Sequence, residues 1–527
     1  MRKVRRALSM AVLLSMGLMI GAGAGPAAAA EDGEEKEPVL LEWYYRGCGQ
    51  QEDTDAVEAK VNELLKTVPG MEHVSVNFNC FVSSEYNQQV LLAQASKAQI
   101  DILNSVNLSS FAEHVEDGSF MPMDAYISDE LRAELPEWLW KMGMVDGETY
   151  MVPNYQNAFN SAYILFPKEY MDKYGNYDEM YETLTNWDLT ITEKAACLEE
   201  YVMAVRAGEG DTKYASTLSI SEVGGTLGYA FETPYDALGK GFMVKDGTDE
   251  VSYLYMNDEF KEKWAIYADW YDKGIFSPDG VSTDLQNYAY GHMMDEISTV
   301  FCVKEQIGTP EHVSEIYSES YGFDVVAIPV QQYDYIQYKW AAGGNGISST
   351  CEHPEEAAKF IELLTTGTEI GKEIYNTVVF GLEGEHYVKD AEDPDRIETL
   401  EYAGSQGGED TSYAAMKWII GNSFYAYKNQ AVLDGQYELA KELNESPDTV
   451  SSSLIGFAPS TANIATQISQ VAAVADEYKN TLTTGVMGVD GWEACYEEFM
   501  KKLEDAGVQD VIDDYQKQID EWIAENR

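Results

Sequence analysis

The 527-residue chain has few of the residues on which common catalytic and metal sites are built. Its six cysteines and six histidines form no C-x-x-C or H-E-x-x-H motif, so zinc sites of the usual spacing are not expected. It contains no G-x-x-x-x-G-K-[ST] phosphate loop and no G-x-S-x-G nucleophile elbow. The glycines at 343, 344 and 346 miss the G-x-G-x-x-G spacing of dinucleotide sites. The sequence therefore predicts no cofactor and offers no catalytic motif.

Basic residues are scarce. The chain has 35 Lys and Arg against 91 Asp and Glu, a net charge of −56. A field of this sign repels nucleic acid and anionic lipid, so no nucleic-acid partner is expected. The acidity is typical of a solvated surface that keeps an exported protein soluble.

The N-terminus contains a long apolar run, Ala7–Ile20, preceded by four basic residues and followed by Ala28-Ala29-Ala30. This pattern predicts a signal peptide over residues 1–30 and a mobile leader over 31–38. An uncleaved anchor is the alternative, but the run is shorter than the ~20 residues of a membrane span. We expect an extracytoplasmic protein that is secreted, cell-surface associated or periplasmic.

The first strand–loop–helix unit organises the rest of the chain. Leu40–Tyr45 is apolar and aromatic, as in a buried strand, and Arg46–Gln51 carries two glycines, as in a loop. The helix that follows has one apolar face. Ligands of open α/β sheets bind outside the carboxyl ends of strands, so this loop is expected to line a ligand cleft.

Two further stretches are interpreted as crossings between lobes. In 146–156, Pro153 ends a brief strand and leaves the next residues on an irregular segment. In 338–349, three glycines allow close approach of the backbone to another chain or a ligand.

Aromatic residues make up 12% of the chain, including 36 tyrosines and 10 tryptophans. Sugar rings pack apolar C–H faces on aromatic rings, and their hydroxyls bond to amides and carboxylates. Concave sites combine a few polar groups with apolar walls. Ordinary core packing explains any single aromatic residue equally well. Nine residues on predicted loops are the candidate ligand contacts: Gln50, Gln51, Asp101, Asn154, Gln156, Trp340, Asn345, Glu383 and Trp418.

Cys48 and Cys80 each follow a predicted strand. Neighbouring parallel strands end side by side, so a disulfide between them is one hypothesis and free thiols are the other. Cysteine spacing does not decide connectivity.

The chain resembles the extracellular solute-binding proteins of bacterial ABC importers, family 1, in the order of its motifs. These motifs are DTDAVEAKVNELL, QVLLAQASKAQIDIL, GETYMVPNYQ, ISSTCEHPEEAAKFIELL and IYNTVVFGLEGEHYV. The similarity is greatest to longer members with their own C-terminal region. That region resembles the segment SSSLIGFAPSTANIATQISQ near the end of this chain.

This resemblance implies an α/β, two-lobed periplasmic-binding-protein-like type II fold, each lobe a mixed β-sheet flanked by helices. Lobe 1 is expected over 39–157 and 338–368, lobe 2 over 158–337 and 369–450, and a largely helical extension over 451–527. It also implies a monomer that catalyses no reaction, captures a small polar solute and delivers it to a membrane permease. Most relatives bind sugars or oligosaccharides.

The chain departs from the family pattern in one respect, because no cysteine follows the apolar run as a lipid attachment site. A lipid anchor is therefore not expected. Two alternatives stay open for the function. One is a receptor for peptides or another polar solute. The other is a secreted carbohydrate-active enzyme, which needs two carboxylates roughly 5–9.5 Å apart across a cleft, and the sequence nominates no such pair.

Overall fold

The computed structural model describes residues 36–527 except 107–110, 216–226, 229, 279–299, 306–307, 339–342, 401–411 and 430–431, together with the side chains of 301–305 and 320. Residues 1–37 form a separate unit from 38–527, and the fold below is that of the second unit. The predicted signal peptide lies outside the described residues. None of the helices in the described ranges has the length and apolar character needed to cross a membrane.

The secondary structure alternates between strands and helices. The strands are β1 (Val39–Gly47), β2 (Val74–Val82), β3 (Ile102–Asn104), β4 (Met144–Val145), β5 (Glu148–Thr149), β6 (Val152–Pro153), β7 (Phe159–Pro167), β8 (Tyr235–Gly239), β9 (Phe242–Lys245), β10 (Val251–Tyr253), β11 (Phe301–Glu305), β12 (Val325–Pro329), β13 (Tyr335–Ile336), β14 (Gly344–Ile347), β15 (Tyr387–Lys389), β16 (Ile397–Thr399) and β17 (Val450–Ser451). The helices are α1 (Thr54–Leu65), α2 (Ser83–Ser96), α3 (Phe111–Glu116), α4 (Asp129–Glu134), α5 (Glu137–Lys141), α6 (Lys168–Tyr174), α7 (Tyr177–Leu184), α8 (Ile191–Glu209), α9 (Asp258–Asp272), α10 (Pro310–Tyr321), α11 (Pro354–Thr365), α12 (Glu369–Phe380), α13 (Gln436–Asn444), α14 (Ala465–Thr483), α15 (Gly488–Asp505) and α16 (Val508–Asn526).

The first lobe is built on a five-stranded mixed sheet in the order β2-β1-β3-β14-β6. Strands β2, β1 and β3 are parallel, and β14 runs antiparallel to both β3 and β6. Leu41, Trp43 and Tyr45 of β1 alternate into the core, and the apolar face of α1 is buried against the same sheet. The predicted opening strand and helix are confirmed.

The second lobe is centred on β7, whose nine residues are all buried. A strand covered on both faces has a continuous apolar sequence rather than an alternating one. Strands β11 and β12 flank it in antiparallel register, and β8, β9 and β10 form a separate antiparallel sheet. Helices α8 and α9 pack in the same core.

The C-terminal helices α14, α15 and α16 extend the core of the second lobe. Val511, Tyr515 and Ile519 of α16 lie on one buried face, as the apolar spacing of this segment predicts. The predicted helical character of the C-terminal extension is confirmed.

Three crossings between the lobes lie side by side among the described residues. The start of β7 pairs with β13, which in turn pairs with β17. Phe159 and Ile336 pack in the first core, whereas Ala162 and Tyr338 pack in the second. The chain therefore changes lobe at these paired strands.

The predicted lobe boundaries differ from the packing in one region. Helix α12 and the segment 413–427, expected in lobe 2, contribute Ile374, Tyr375 and Tyr427 to the core of the first lobe. Helix α12 contacts α1 and α11 there. The apolar pattern of α12 predicts a buried face but not the lobe that buries it. The other boundaries stay predictions.

Candidate functional site

The carboxyl ends of β3 and β6 meet the amino end of β14 at one edge of the first sheet. Ser105 N–H donates to Gly344 O (2.9 Å) and Gly344 N–H donates to Ser105 Oγ (3.1 Å). Asn154 N–H donates to Gly343 O (2.8 Å). These backbone bonds bring segments distant in sequence into one polar row, which we call the strand-end row: Ser105, Asn154, Gly343 and Gly344.

Glycines make this close approach possible. A Cβ on Gly343 would lie 2.1 Å from Val106 Cγ2, and one on Gly344 would lie 2.2 Å from Val152 O. Any larger residue would push the strands apart. The close backbone approach predicted from this glycine run is present, and it is made between chain segments.

Asn154 is the polar side chain of the row with unmet hydrogen-bonding capacity. It is 2% exposed, and its Oδ1 is buried without a hydrogen-bond partner among the described residues. A buried, unpaired amide oxygen costs about 1–3 kcal/mol. A ligand hydroxyl donating to Oδ1 would remove that cost.

Asn345, another predicted contact, lies inside the sheet. Its Oδ1 accepts from Trp43 Nε1 (3.0 Å) and from Asn104 Nδ2 (3.2 Å), and the residue is 1% exposed. These bonds join β1, β3 and β14 in the core. The structure thus corrects the predicted ligand-facing position of Asn345.

Asp101 is also placed differently from the prediction. It precedes β3, so it lies at the opposite end of this strand from the strand-end row. Its buried Oδ2 accepts from Glu42 N–H (2.8 Å) and Gln99 Nε2 (2.9 Å). Through these bonds Asp101 braces β1 against β3. It lies away from the strand-end row because β3 begins after this residue.

The two glutamines of the first loop have different environments. Both polar atoms of the Gln51 side-chain amide bond to the backbone of Ala414. Nε2 donates to Ala414 O (2.7 Å), and Oε1 accepts from Ala414 N–H (2.9 Å). It ties the first loop to the segment 412–416. Gln50 is exposed, and its Nε2 donates to Phe78 O. Gln50 is the better placed of the two to meet a ligand.

Trp418 lies on the first lobe, whereas the sequence predicted a position on the second-lobe side. It is half-buried in the 3-10 turn Lys417–Ile419 and packs against the first core. Ile419 O accepts from Asn104 Nδ2 (3.1 Å), so this turn adjoins the carboxyl end of β3. Trp418 is therefore an aromatic candidate near the strand-end row.

The other predicted contacts are scattered. Gln156 is half-buried next to the first crossing, where its backbone O accepts from Asn444 Nδ2 (2.8 Å). Glu383 is exposed and lies 3.8 Å from Lys389 Nζ, on the first-lobe side after α12. Trp340 lies outside the described residues. Ser105 was not singled out from the sequence, although it directly follows the predicted strand.

Cys48 and Cys80 are free thiols in the structure, as in the second of the two hypotheses for this pair. The strand register pairs Cys80 with Tyr45, three residues before Cys48. Burial raises the pKa of Cys80 to about 11 and also raises the pKa of Cys48. Both therefore remain protonated at neutral pH and are poor nucleophiles.

No group of His, Cys, Asp and Glu side chains within the described ranges is arranged to hold a metal ion. The polar groups near the row are amides, a hydroxyl and backbone groups. Such groups are suited to a neutral polar ligand.

Similarity to known proteins agrees with this architecture. A carbohydrate ABC transporter substrate-binding protein from Streptococcus pneumoniae is 22% identical over 512 residues, covering 95% of this chain and 93% of the relative. The crystal structure of the N-glycan transport solute binding protein NgtS from the same species matches with a TM-score of 0.69 and 20% identity, over 93% of this chain and 100% of that one. This chain has the fold of a two-lobed solute-binding protein.

The resemblance drawn from the sequence motifs is thereby confirmed, as is the α/β two-lobed class. An HMO-binding, ABC-transporter-associated solute binding protein from Bifidobacterium longum infantis also matches, with a TM-score of 0.56 and 14% identity over 92% of this chain and 99% of that one. Residues 453–524 match the family model described as a domain of unknown function, DUF3502, which spans most of helices α14, α15 and α16.

Proposed function

We propose that the protein is the extracytoplasmic receptor of an ABC importer, which captures a sugar or oligosaccharide between its two lobes and delivers it to a membrane permease. One observation carries the proposal. Two lobes are joined by three adjacent crossing strands, and a row of polar groups lies before the first crossing. A half-buried tryptophan lies in the turn that bonds to the carboxyl end of β3. The protein acts as a monomer without a lipid anchor in this proposal.

Lobe closure is the proposed mechanism of capture. The crossing strands pair over a few residues only, with Tyr335 opposite both Asn160 and Val450. Small changes of backbone dihedral angles in such short segments move whole lobes as rigid bodies. Closure on a ligand would expel water and strengthen each hydrogen bond to it.

The proposed recognition uses hydrogen bonds and ring stacking and involves no bond chemistry. Asn154 Oδ1 accepts a hydroxyl hydrogen, Gln50 presents an exposed amide, and Trp418 offers a ring face. Relatives support a carbohydrate over a peptide, because NgtS structures contain Man1GlcNAc or Man5GlcNAc and a FusA structure contains kestose.

Thermal-shift and calorimetric titrations with Man5GlcNAc, kestose, neutral milk oligosaccharides and a peptide set test the proposal. A ligand at 100 times its Kd stabilises the folded protein by about 2.7 kcal/mol, which is readily seen as a higher Tm. If peptides raise the Tm and no saccharide does, the protein is a peptide receptor. Release of new reducing ends from any glycan would instead identify an enzyme.

Two variants assign the ligand site. Trp418→Ala and Asn154→Ala are each expected to weaken saccharide binding about tenfold, which corresponds to about 1.4 kcal/mol. Trp492→Ala is the matched control, since Trp492 is also half-buried but packs on α15 against the second core. Equal affinity of all three variants and the unmodified protein would remove the strand-end row from the site.

A further inference from the structure

A cavity of about 940 Å³ lies between the first lobe and the C-terminal part of the chain. Helices α3, α4 and α5 and the hairpin β4–β5 form its walls on the first lobe. The third crossing, the segment after it and the end of α16 form the opposite walls. None of these residues belongs to the strand-end row or to the Trp418 turn. The cavity is therefore a separate site.

Residues of both lobes surround this cavity. The third crossing contributes Ser451, Ser452 and Ser453 to the wall. Glu113 of α3, the neighbour of the lining residue Ala112, accepts at Oε1 from Ser460 Oγ (3.1 Å) and from Thr461 N–H (3.0 Å). A direct contact of the lobes therefore adjoins the cavity wall.

The Glu113 contact is held in place from the second-lobe side. Gln518 of α16 accepts from Ser460 N–H (2.8 Å) and donates to Ser460 O (3.0 Å). Helix α16 is in turn fixed by its buried face. Movement of the lobes away from each other would break the Glu113 contact and change the width of the cavity.

Tryptophans give the cavity the chemistry of a sugar site. Trp138 and Trp522 are half-buried in its walls, and Trp138 Nε1 is buried without a hydrogen-bond partner among the described residues. Ser451 and Ser453 of the third crossing, which are exposed, add hydroxyl groups. A saccharide hydroxyl is an acceptor for Trp138 Nε1–H, and pyranose rings pack on aromatic faces.

The charges around the cavity favour a neutral ligand. Arg132 lies over the Trp140 ring at 4.3 Å and 3.3 Å from Asp124 Oδ1. Arg527 lies 2.9 Å from Asp249 Oδ1. Both guanidinium groups are thus already paired, and the walls are nearly balanced in charge, with four acidic and three basic residues. A site of this kind has no strong preference for an anion or a cation.

We propose that this cavity is a second saccharide-binding site, which takes a neutral di- or trisaccharide and whose occupancy is coupled to lobe position. Its volume is within the roughly 300–1,000 Å³ of small-molecule sites. Because its walls belong to both lobes, a ligand here binds one lobe arrangement better than others, and the coupling with the strand-end row is reciprocal. The saccharide class rests on the proposed function, whereas the separate location rests on the cavity itself.

Calorimetric titration with mannotriose, maltotriose and kestose, on the full chain, tests this proposal. The unmodified protein is expected to show two binding components with at least one of these probes. Asn154→Ala should weaken one component strongly and change the other only through the coupling. Trp138→Phe, which keeps ring packing but loses Nε1–H, and Trp522→Ala should weaken the other component about tenfold, or about 1.4 kcal/mol. Trp492→Phe is the control and should change neither.

The outcomes separate this proposal from the proposed function. A single component that is lost in Asn154→Ala and unaffected by Trp138→Phe and Trp522→Ala overturns the second site and leaves the receptor function intact. Absence of binding by every saccharide tested, at either site, overturns both. Circular dichroism of each variant confirms that it is folded before titration.

Ser460→Ala, which removes one donor to Glu113, should speed dissociation of the saccharide bound in the cavity. An unchanged dissociation rate would contradict the coupling to lobe position.

Discussion

Asp236 is a buried carboxylate that links the second lobe to two of the crossings. It lies on β8 and is 2% exposed. It accepts from Tyr338 N–H (2.8 Å), Tyr335 Oη–H (3.2 Å) and Ser452 Oγ–H (2.5 Å). Burial raises the pKa of Asp236 to about 6, with a smaller contribution from the nearby charge of Asp246, and the three hydrogen bonds oppose this rise.

This pKa gives stability a definite dependence on pH. An ordinary Asp has a pKa of 3.8, so between pH 4 and pH 6 the folded protein retains a proton that the unfolded chain has lost. The free energy of unfolding therefore falls as pH rises through this window. Above the window, Asp236 is ionised in both states and contributes no further pH dependence. The difference between 3.8 and about 6 corresponds to about 3 kcal/mol.

Urea unfolding of the unmodified protein and of Asp236→Asn at pH 4, 5, 6 and 7 measures this effect. The variant is neutral at position 236 at every pH. The difference in free energy of unfolding between the two proteins should therefore shift by about 2.4 kcal/mol against the unmodified protein from pH 4 to pH 7, because the unfolded aspartate is already partly ionised at pH 4. Asp246→Asn, which removes a nearby carboxylate that accepts from Tyr333 Oη–H (2.7 Å), is the control for loss of a negative charge in this region. A difference that stays constant with pH would refute the reasoning.

Three further results are expected. Asn345→Leu should lower the free energy of unfolding by about 1–3 kcal/mol in urea titration, because two buried N–H donors lose their acceptor; an unchanged value would contradict its core role. Gly421→Ala should lower the free energy of unfolding by about 3 kcal/mol, since the φ of Gly421 is +54° and a Cβ would lie 1.9 Å from Leu364 O. An unchanged free energy of unfolding would mean that this turn relaxes easily. Cys80 should react with iodoacetamide only after unfolding, because its thiol is buried and has a pKa of about 11, and fast labelling of the folded protein would show that the thiol is accessible.

Much of the fold follows from apolar periodicity in the sequence. The first strand, the face of α1 and the face of α16 are all confirmed, because regular burial imposes a regular pattern on the residues. The lobe that α12 packs against was not predictable in this way. A buried face shows that a partner exists, and long-range packing decides which partner it is.

The candidate site was harder to predict, since residue type does not show which atoms are already bonded. Gln51 and Asn345 have the chemistry of ligand contacts, yet their amides are bonded within the protein. Asp101 lies at the amino end of β3, away from the strand-end row, because the strand begins at the next residue. Asn154 stays a predicted ligand contact, and its unpaired Oδ1 is visible only once the surrounding backbone is placed.

The cavity residues were not anticipated from the sequence. Trp138 and Trp522 are far apart in the chain and lie on helices whose apolar residues are explained by core packing. The available signal was the pair of tryptophans in EWLWK, Glu137–Lys141, which is too short to indicate a site without its partner surface.

Small-angle X-ray scattering tests the central claim of ligand capture by lobe closure most directly. The protein is measured alone and saturated with the saccharide that gives the largest thermal shift. We expect a smaller radius of gyration for the saturated protein, and Asn154→Ala should need more saccharide to reach the same change. An unchanged radius of gyration at proven saturation would contradict closure of two lobes on the ligand.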